Sequence, residues 1–149
     1  MTARVAGALL MALGAALAAL PAFGWYSAPP VGAPTHASGF AGAGQLWALP
    51  LVGAMTVLSG AALVSARPEG ARDTARRVGV AAALGGAVAL GLALWAAADP
   101  RLELTAALPG GRETVPATTT LEAAAIVTPF VAGAILLLGL GIAWAGRRR

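Results

Sequence analysis

The chain has 149 residues, 58% of them hydrophobic and 11% charged, with a formal net charge of +4. Soluble domains carry about 25% charged residues, so composition excludes an ordinary water-soluble globular fold. No segment outside the apolar runs reaches the roughly 50 residues that an additional soluble domain needs. There is no cysteine, which removes disulfides, thiolate metal ligands and thiol nucleophiles together. All ten basic residues are arginine, and they crowd the ends of the apolar runs. They therefore read as topology signals and contacts for anionic lipid rather than as a nucleic-acid footprint, although the sequence pI is near 11.4.

Four stretches, residues 4–23, 46–66, 78–98 and 123–146, are apolar and uncharged between their end residues. A run of about 20 residues at a rise of 1.5 Å matches a hydrocarbon layer of about 30 Å, so each is a predicted transmembrane helix. The first opens at Arg4 and ends near Pro21. Its Ala/Leu run with Ala16 and Ala18 also fits a secretory signal with a cleavage site, although it is longer than the usual signal core of about 7–15 residues. Trp25 and Tyr26 follow at the outer end, where aromatic rings suit the headgroup layer. Residues 24–45 are rich in Pro and Gly, carry no charge beyond that of a protonated His36 and have Phe40 as an apolar point, which predicts irregular backbone. With Trp47 nearby, Trp25 and Tyr26 could also frame a ligand cage, but the anchoring reading explains all four tryptophans.

The second span starts at Trp47, tolerates Pro50 in its first turns, and holds Thr56 and Ser59, whose hydroxyls are expected to bond their own helix or a neighbour. The connection to the third span, residues 67–77, carries Arg67, Arg72, Arg76 and Arg77 with Glu69 and Asp73. The third span places Trp95 near its outer end. Between the third and fourth spans, Leu102, Leu104 and Ala106 alternate with Glu103 and Thr105 and run into Pro109-Gly110-Gly111. That pattern predicts a short β-hairpin whose apolar face lies on the first connection as a small cap. The acids Asp99, Glu103, Glu113 and Glu122 are interleaved with Arg101 and Arg112 and read as a solvated mixed-charge loop. Thr119-Thr120 ahead of Leu121-Glu122 resembles a capping start for the fourth span, which then contains Pro129, a candidate kink near Ile126 with Thr128 able to bond a freed carbonyl. Trp144 and Arg147, Arg148 and Arg149 close the chain.

Three long-range expectations follow. Eight arginines sit before the first span, between the second and third, and after the fourth, against two in the other connections. The positive-inside rule then puts both termini and the second connection in the cytoplasm of a bacterial cell. Each span also carries two glycines seven residues apart: Gly7 and Gly14, Gly53 and Gly60, Gly79 and Gly86, Gly139 and Gly146. Seven residues are two helical turns, so each pair shares a face suited to close helix packing, and the expected fold is an all-α transmembrane antiparallel four-helix bundle of one domain with a small outer cap. Finally, no span contains an ionisable residue between its end residues, which speaks against proton relays, ion pathways, haem ligation and di-iron chemistry at membrane depth.

The layout of an N-terminal Arg, a first span ending in Trp25-Tyr26, an uncharged loop reaching Ser38-Gly39-Phe40, three more Ala/Leu/Gly spans and an Arg tail resembles the uncharacterised four-span small membrane proteins of GC-rich actinobacteria. It is similar, more distantly, to the membrane protein encoded near tryptophan-biosynthesis genes in those bacteria. Many of those relatives have Pro before the Trp, where this chain has Gly24. The resemblance implies no reaction, no cofactor and no catalytic residue. The expected function is therefore that of a non-catalytic integral protein of the bacterial cytoplasmic membrane, acting through contacts with the bilayer, with anionic lipid at the cytoplasmic arginines, and with a membrane-protein partner or a second copy of itself. An accessory subunit of an envelope or respiratory complex fits that description. The alternatives are a small transporter or pore formed by oligomers and, last, a membrane enzyme.

Overall fold

The computed structural model describes residues 2–28, 35–41, 44–98, 101–108, 111–118 and 120–147. Among these, four α-helices run Ala3–Ala19 (α1), Ala48–Ser65 (α2), Ala71–Ala98 (α3) and Ala123–Arg147 (α4). All four are long and apolar enough to cross a membrane, α1 together with the 3-10 turn Leu20–Ala22 that extends it. This is the pattern of a multi-pass membrane protein. Between 28% and 39% of each span is buried inside the molecule, so most of each helix faces outward. Those outward faces carry Leu51, Met55, Leu58, Leu84, Phe130 and Leu137, an apolar coat suited to hydrocarbon.

Local chemistry sets the helix ends. Thr2 Oγ1 accepts the Val5 N–H at 3.4 Å and caps α1. Pro21 lies in the 3-10 turn beyond α1, and Pro50 is the third residue of α2, where its missing N–H has no intrahelical acceptor to lose. Helix α3 begins at Ala71, well ahead of the apolar run that starts at Val78. Its extra turns contain an Asp73–Arg77 ion pair at 2.7 Å with i,i+4 spacing. Hydropathy marks membrane depth, whereas the helical ladder continues through polar residues that support one another. The second connection accordingly shrinks to residues 66–70.

Buried positions recur in alternating steps of three and four residues. They include Gly7, Leu10, Gly14 and Leu17 in α1, and Leu49, Gly53, Thr56, Gly60 and Leu63 in α2. In α3 they include Gly79, Ala82, Gly86, Ala89 and Ala93, and in α4 Thr128, Ala132, Ile135, Gly139 and Ile142. This is heptad spacing, and the glycines fill one of its two columns. Helix α1 packs against α2 and α3 against α4, each pair antiparallel: Gly7 faces Gly60 while Gly14 faces Gly53, and Gly79 faces Gly139. A Cβ on Gly7 would stand 2.7 Å from the Gly60 carbonyl oxygen, one on Gly14 2.7 Å from that of Gly53, and one on Gly79 2.8 Å from that of Gly139. Only glycine lets the backbones approach so closely. The second column supplies bulk, and Leu10, Leu17, Leu49, Leu63, Ile135 and Ile142 join Ala82, Ala89 and Ala96 in one core.

At the other ends of these helices the connections form two small sheets. Gly24–Ala28 (β1) pairs antiparallel with Thr35–Ser38 (β2) and with Thr120–Leu121 (β5), giving the order β2-β1-β5. Arg101–Leu108 (β3) and Gly111–Thr118 (β4) form a separate antiparallel hairpin with Leu104 opposite Val115. The hairpin agrees with the sequence pattern; Pro109 and Gly110 of its turn lie outside the described residues, as do the side chains on its face. The first connection differs from expectation, because its described residues form two strands and short 3-10 turns instead of irregular backbone. Its partner is the run into α4, whose short strand β5 satisfies part of the β1 backbone. Thr120 therefore does not cap α4. Its hydroxyl lies 2.7 Å from Ser27 Oγ, and α4 starts with the Ile126 N–H bonded to the Glu122 carbonyl at 3.2 Å.

Candidate functional site

At the cap end strand β1 carries two aromatic rings into the protein interior. Trp25 and Tyr26 are fully buried, with exposures of 0% and 1%, and their centroids are 6.2 Å apart at a tilt of 53°. Trp25 Nε1 donates to the Leu20 carbonyl at 2.9 Å, so the indole dipole is satisfied within the turn that ends α1. Gly39 lies against the indole face; a Cβ there would be 3.2 Å from three ring atoms. The Glu122 N–H donates to the Trp25 carbonyl at 2.8 Å, tying the start of α4 to β1, and the Glu122 carboxylate occupies the space that a side chain at position 24 would need. Burial pushes the Tyr26 hydroxyl pKa up.

This arrangement corrects one expectation. Trp25 and Tyr26 are core of the cap, not anchors at the lipid interface, because both are buried within the protein, with Gly39 against the indole. Trp47, Trp95 and Trp144 do present their rings outward. Trp47 stacks with Phe40 at a centroid distance of 4.4 Å, so its aromatic partner is Phe40, and no cage of Trp25, Tyr26 and Trp47 forms.

At membrane depth the hydroxyls turn inward on their own helices. Thr56 Oγ1 donates to the Val52 carbonyl at 2.8 Å and Thr128 Oγ1 to the Ala124 carbonyl at 2.7 Å, both buried. Helix α4 runs through Pro129, which lacks the N–H that would bond Ala125. The carbonyl Thr128 engages is thus the one before the freed group, contrary to the expectation that it would compensate for the proline. Ser59 lines a groove of about 250 Å³ between α2 and α3 with Leu51, Met55, Thr56, Ala82 and Gly85. Among the described residues, no three His, Cys, Asp or Glu side chains come together in a way that could hold a metal ion. Asp99, Thr119, Arg148, Arg149 and the side chains of His36, Arg101, Glu103, Arg112 and Glu113 lie outside the described residues.

The opposite end contains a cavity shared by all four helices. A partly open cleft of about 440 Å³ is walled by Ala3 and Ala6 of α1, Leu63 of α2, Ala71, Arg72 and Ala75 of α3, and Gly141, Ile142, Ala145 and Gly146 of α4. Its origin lies in side-chain size. Near the cap, Leu17, Leu46, Leu49, Trp25 and Tyr26 fill the space between the helix pairs. At the far end the corresponding positions are mostly alanine and glycine, so the pairs leave a void that only Leu63 and Ile142 enter as bulky groups. The walls are apolar apart from Arg72. Arg4, Arg67, Arg76, Arg77 and Arg147 lie within a few residues of the lining segments.

The predicted glycines divide accordingly. Gly7, Gly14, Gly53 and Gly60 meet one another across α1 and α2; Gly79 and Gly139 meet across α3 and α4, and Gly86 abuts Ala132 and Leu136. Gly146 sits less tightly, 3.2 Å from the Arg76 nitrogen, and helps to line the cavity. A reading centred on glycine missed Ala83 and Ala143, which complete the α3–α4 crossing as small residues four positions after Gly79 and Gly139. It also missed Gly39 and Glu122, for which no local pattern exists. Comparison with protein-family models, with curated proteins and with solved structures finds no match.

Proposed function

We propose that this chain is a non-catalytic integral protein of a bacterial cytoplasmic membrane, an antiparallel four-helix bundle with both termini inside, that acts through contacts as an accessory subunit of a larger envelope or respiratory complex. The observation that carries this reading is the division of labour on each span. The glycines of the seven-residue pairs are spent on internal crossings, the buried hydroxyls bond their own helices, and the outward surface carries large apolar side chains such as Leu51, Met55, Phe130 and Leu137. Such a surface offers adhesion in a bilayer and no reactive group. The arginine distribution supports the orientation, because positive charge is retained on the cytoplasmic side. The transporter reading draws no support from Thr56 and Thr128, since each hydroxyl is already committed to a carbonyl.

Affinity purification from native membrane in a mild detergent, followed by mass spectrometry, tests the role. A stoichiometric membrane partner is expected, and recovery of the chain alone in every mild detergent tried would count against an accessory subunit. Orientation is testable separately, because a chain without cysteine accepts single labels cleanly. Glu69→Cys should react only after the membrane is opened, and His36→Cys in intact cells lacking an outer barrier.

A further inference from the structure

The cleft between the two helix pairs combines three properties: apolar walls drawn from all four helices, an arginine at its rim, and a position at the arginine-rich end of the spans. The volume, about 440 Å³, falls in the range of about 300–1,000 Å³ typical of ligand sites. From these we infer that the cleft seats one acyl chain of an anionic phospholipid, with the lipid phosphate held by the Arg72 guanidinium. The inference rests on the proposed orientation and adds to it a defined site on the cytoplasmic leaflet.

Depth and charge select this occupant. The lining runs from Ala3, Ala71 and Gly146, beside Arg4, Arg72 and Arg147, inward to Ala6, Leu63 and Ile142. That distance is about one helical turn, roughly 5 Å, which is the step from the headgroup layer into the acyl region. A molecule there needs an apolar body below and a polar group above. Among the described residues this end holds Arg4, Arg67, Arg72, Arg76, Arg77 and Arg147 against Glu69 and Asp73, and Asp73 is paired with Arg77. Six positive and two negative groups leave an excess of four positive charges, which favours an anionic head over a zwitterionic one. A guanidinium has five N–H donors, so Arg72 can offer a phosphate a charge-assisted hydrogen bond alongside its other contact. The cleft is also partly open, and none of the tightest glycine crossings lines it, so a chain can enter without parting them.

The structure supplies a clean way to close the site. A Cβ at Gly141 would meet nothing within 4 Å, and the same is true of Gly91, which does not line the cleft. Gly141→Leu, whose Cβ has open space, should fill the cavity, and Gly91→Leu is its matched control. The full chain, purified in a mild detergent, is titrated with phosphatidylglycerol or with phosphatidylcholine of the same tails and examined by native mass spectrometry, with thermal unfolding to verify the fold of each variant. One phosphatidylglycerol per chain should be retained in preference to phosphatidylcholine. Gly141→Leu should lose that lipid, Gly91→Leu should keep it, and Arg72→Gln should weaken its retention roughly tenfold, the effect of losing a charge-assisted hydrogen bond. Equal retention of the two lipids, or a folded Gly141→Leu that still holds phosphatidylglycerol, overturns the inference. The latter result would leave only diffuse attraction at the arginine belt. The Glu69→Cys labelling result stands apart from this readout, so a wrong orientation and a wrong lipid site are distinguishable.

Discussion

The two ends of the helices solve the same packing problem in opposite ways. At the cap end, large side chains and a small sheet fill the gap between the helix pairs, and even the indole N–H of Trp25 is bonded internally. At the arginine-rich end, alanine and glycine leave the gap open as a cleft. The middle of the molecule does not differ in kind, since glycine crossings hold each pair along its length. The contrast teaches that close pairing of helices does not by itself produce a solid core: the pairs must also be filled against each other, and here that happens at one end.

The largest effect should come from emptying the filled end. Trp25→Ala removes a fully buried ring and should cost about 3–5 kcal/mol, read as a loss of resistance to thermal or denaturant unfolding in detergent. Leu63→Ala, at the border of the cleft, should cost no more than about 2 kcal/mol, because part of its surroundings is already void. Equal costs for the two would erase the distinction between the ends. The next largest effect concerns what the ends share. Gly14→Val drives side-chain atoms toward the Gly53 backbone and should cost about 1–3 kcal/mol. Gly133→Val, at a position where a Cβ meets nothing within 4 Å, should stay within about 0.5 kcal/mol of the parent. If both behave alike, the crossing contacts are not what pairs the helices.

A smaller change is expected at the cap seam. Ser27→Ala deletes the hydroxyl pair with Thr120, which joins the first connection to the run into α4, and should cost about 0.5–1 kcal/mol because that pair is exposed. Faster amide hydrogen exchange in β1 and β5 would accompany it; unchanged exchange would mean that the backbone pairing alone secures the seam. The gentlest probe is pH. Burial raises the Tyr26 pKa in the folded protein, so above the ordinary value near 10 the unfolded chain loses its proton first. Stability is then unaffected by this group below about pH 10 and falls as pH rises toward the raised folded value. Tyr26→Phe should flatten that alkaline decline, and a decline that persists unchanged in the variant would place its cause elsewhere.

Much of the helical architecture was legible in the residues. Uncharged runs located the four spans, and seven-residue glycine spacing identified faces that do lie at helix crossings. The start of α3 was not legible from hydropathy, since Arg72, Asp73, Arg76 and Arg77 are polar yet helical. Trp25 and Tyr26 were misread because aromatic residues at a span end look alike whether lipid or protein covers them. The β2-β1-β5 sheet was missed for a related reason. Its strands are short, and Thr120–Leu121 lies far from Gly24–Ala28 in sequence, so no local signal announces the pairing.

What the sequence determined by itself are properties that each segment carries alone: length against the thickness of a bilayer, absence of charge at depth, the side on which arginines gather, and the periodicity of small residues. These depend on spacing along one helix and need no knowledge of neighbours. Tertiary structure alone decided that α1 pairs with α2 and α3 with α4, that Trp25 and Tyr26 are buried, and that the opposite end keeps a cleft beside Arg72. Each of those outcomes depends on which surfaces meet and on whether the facing side chains add up to fill the space between them, a sum that no single segment contains.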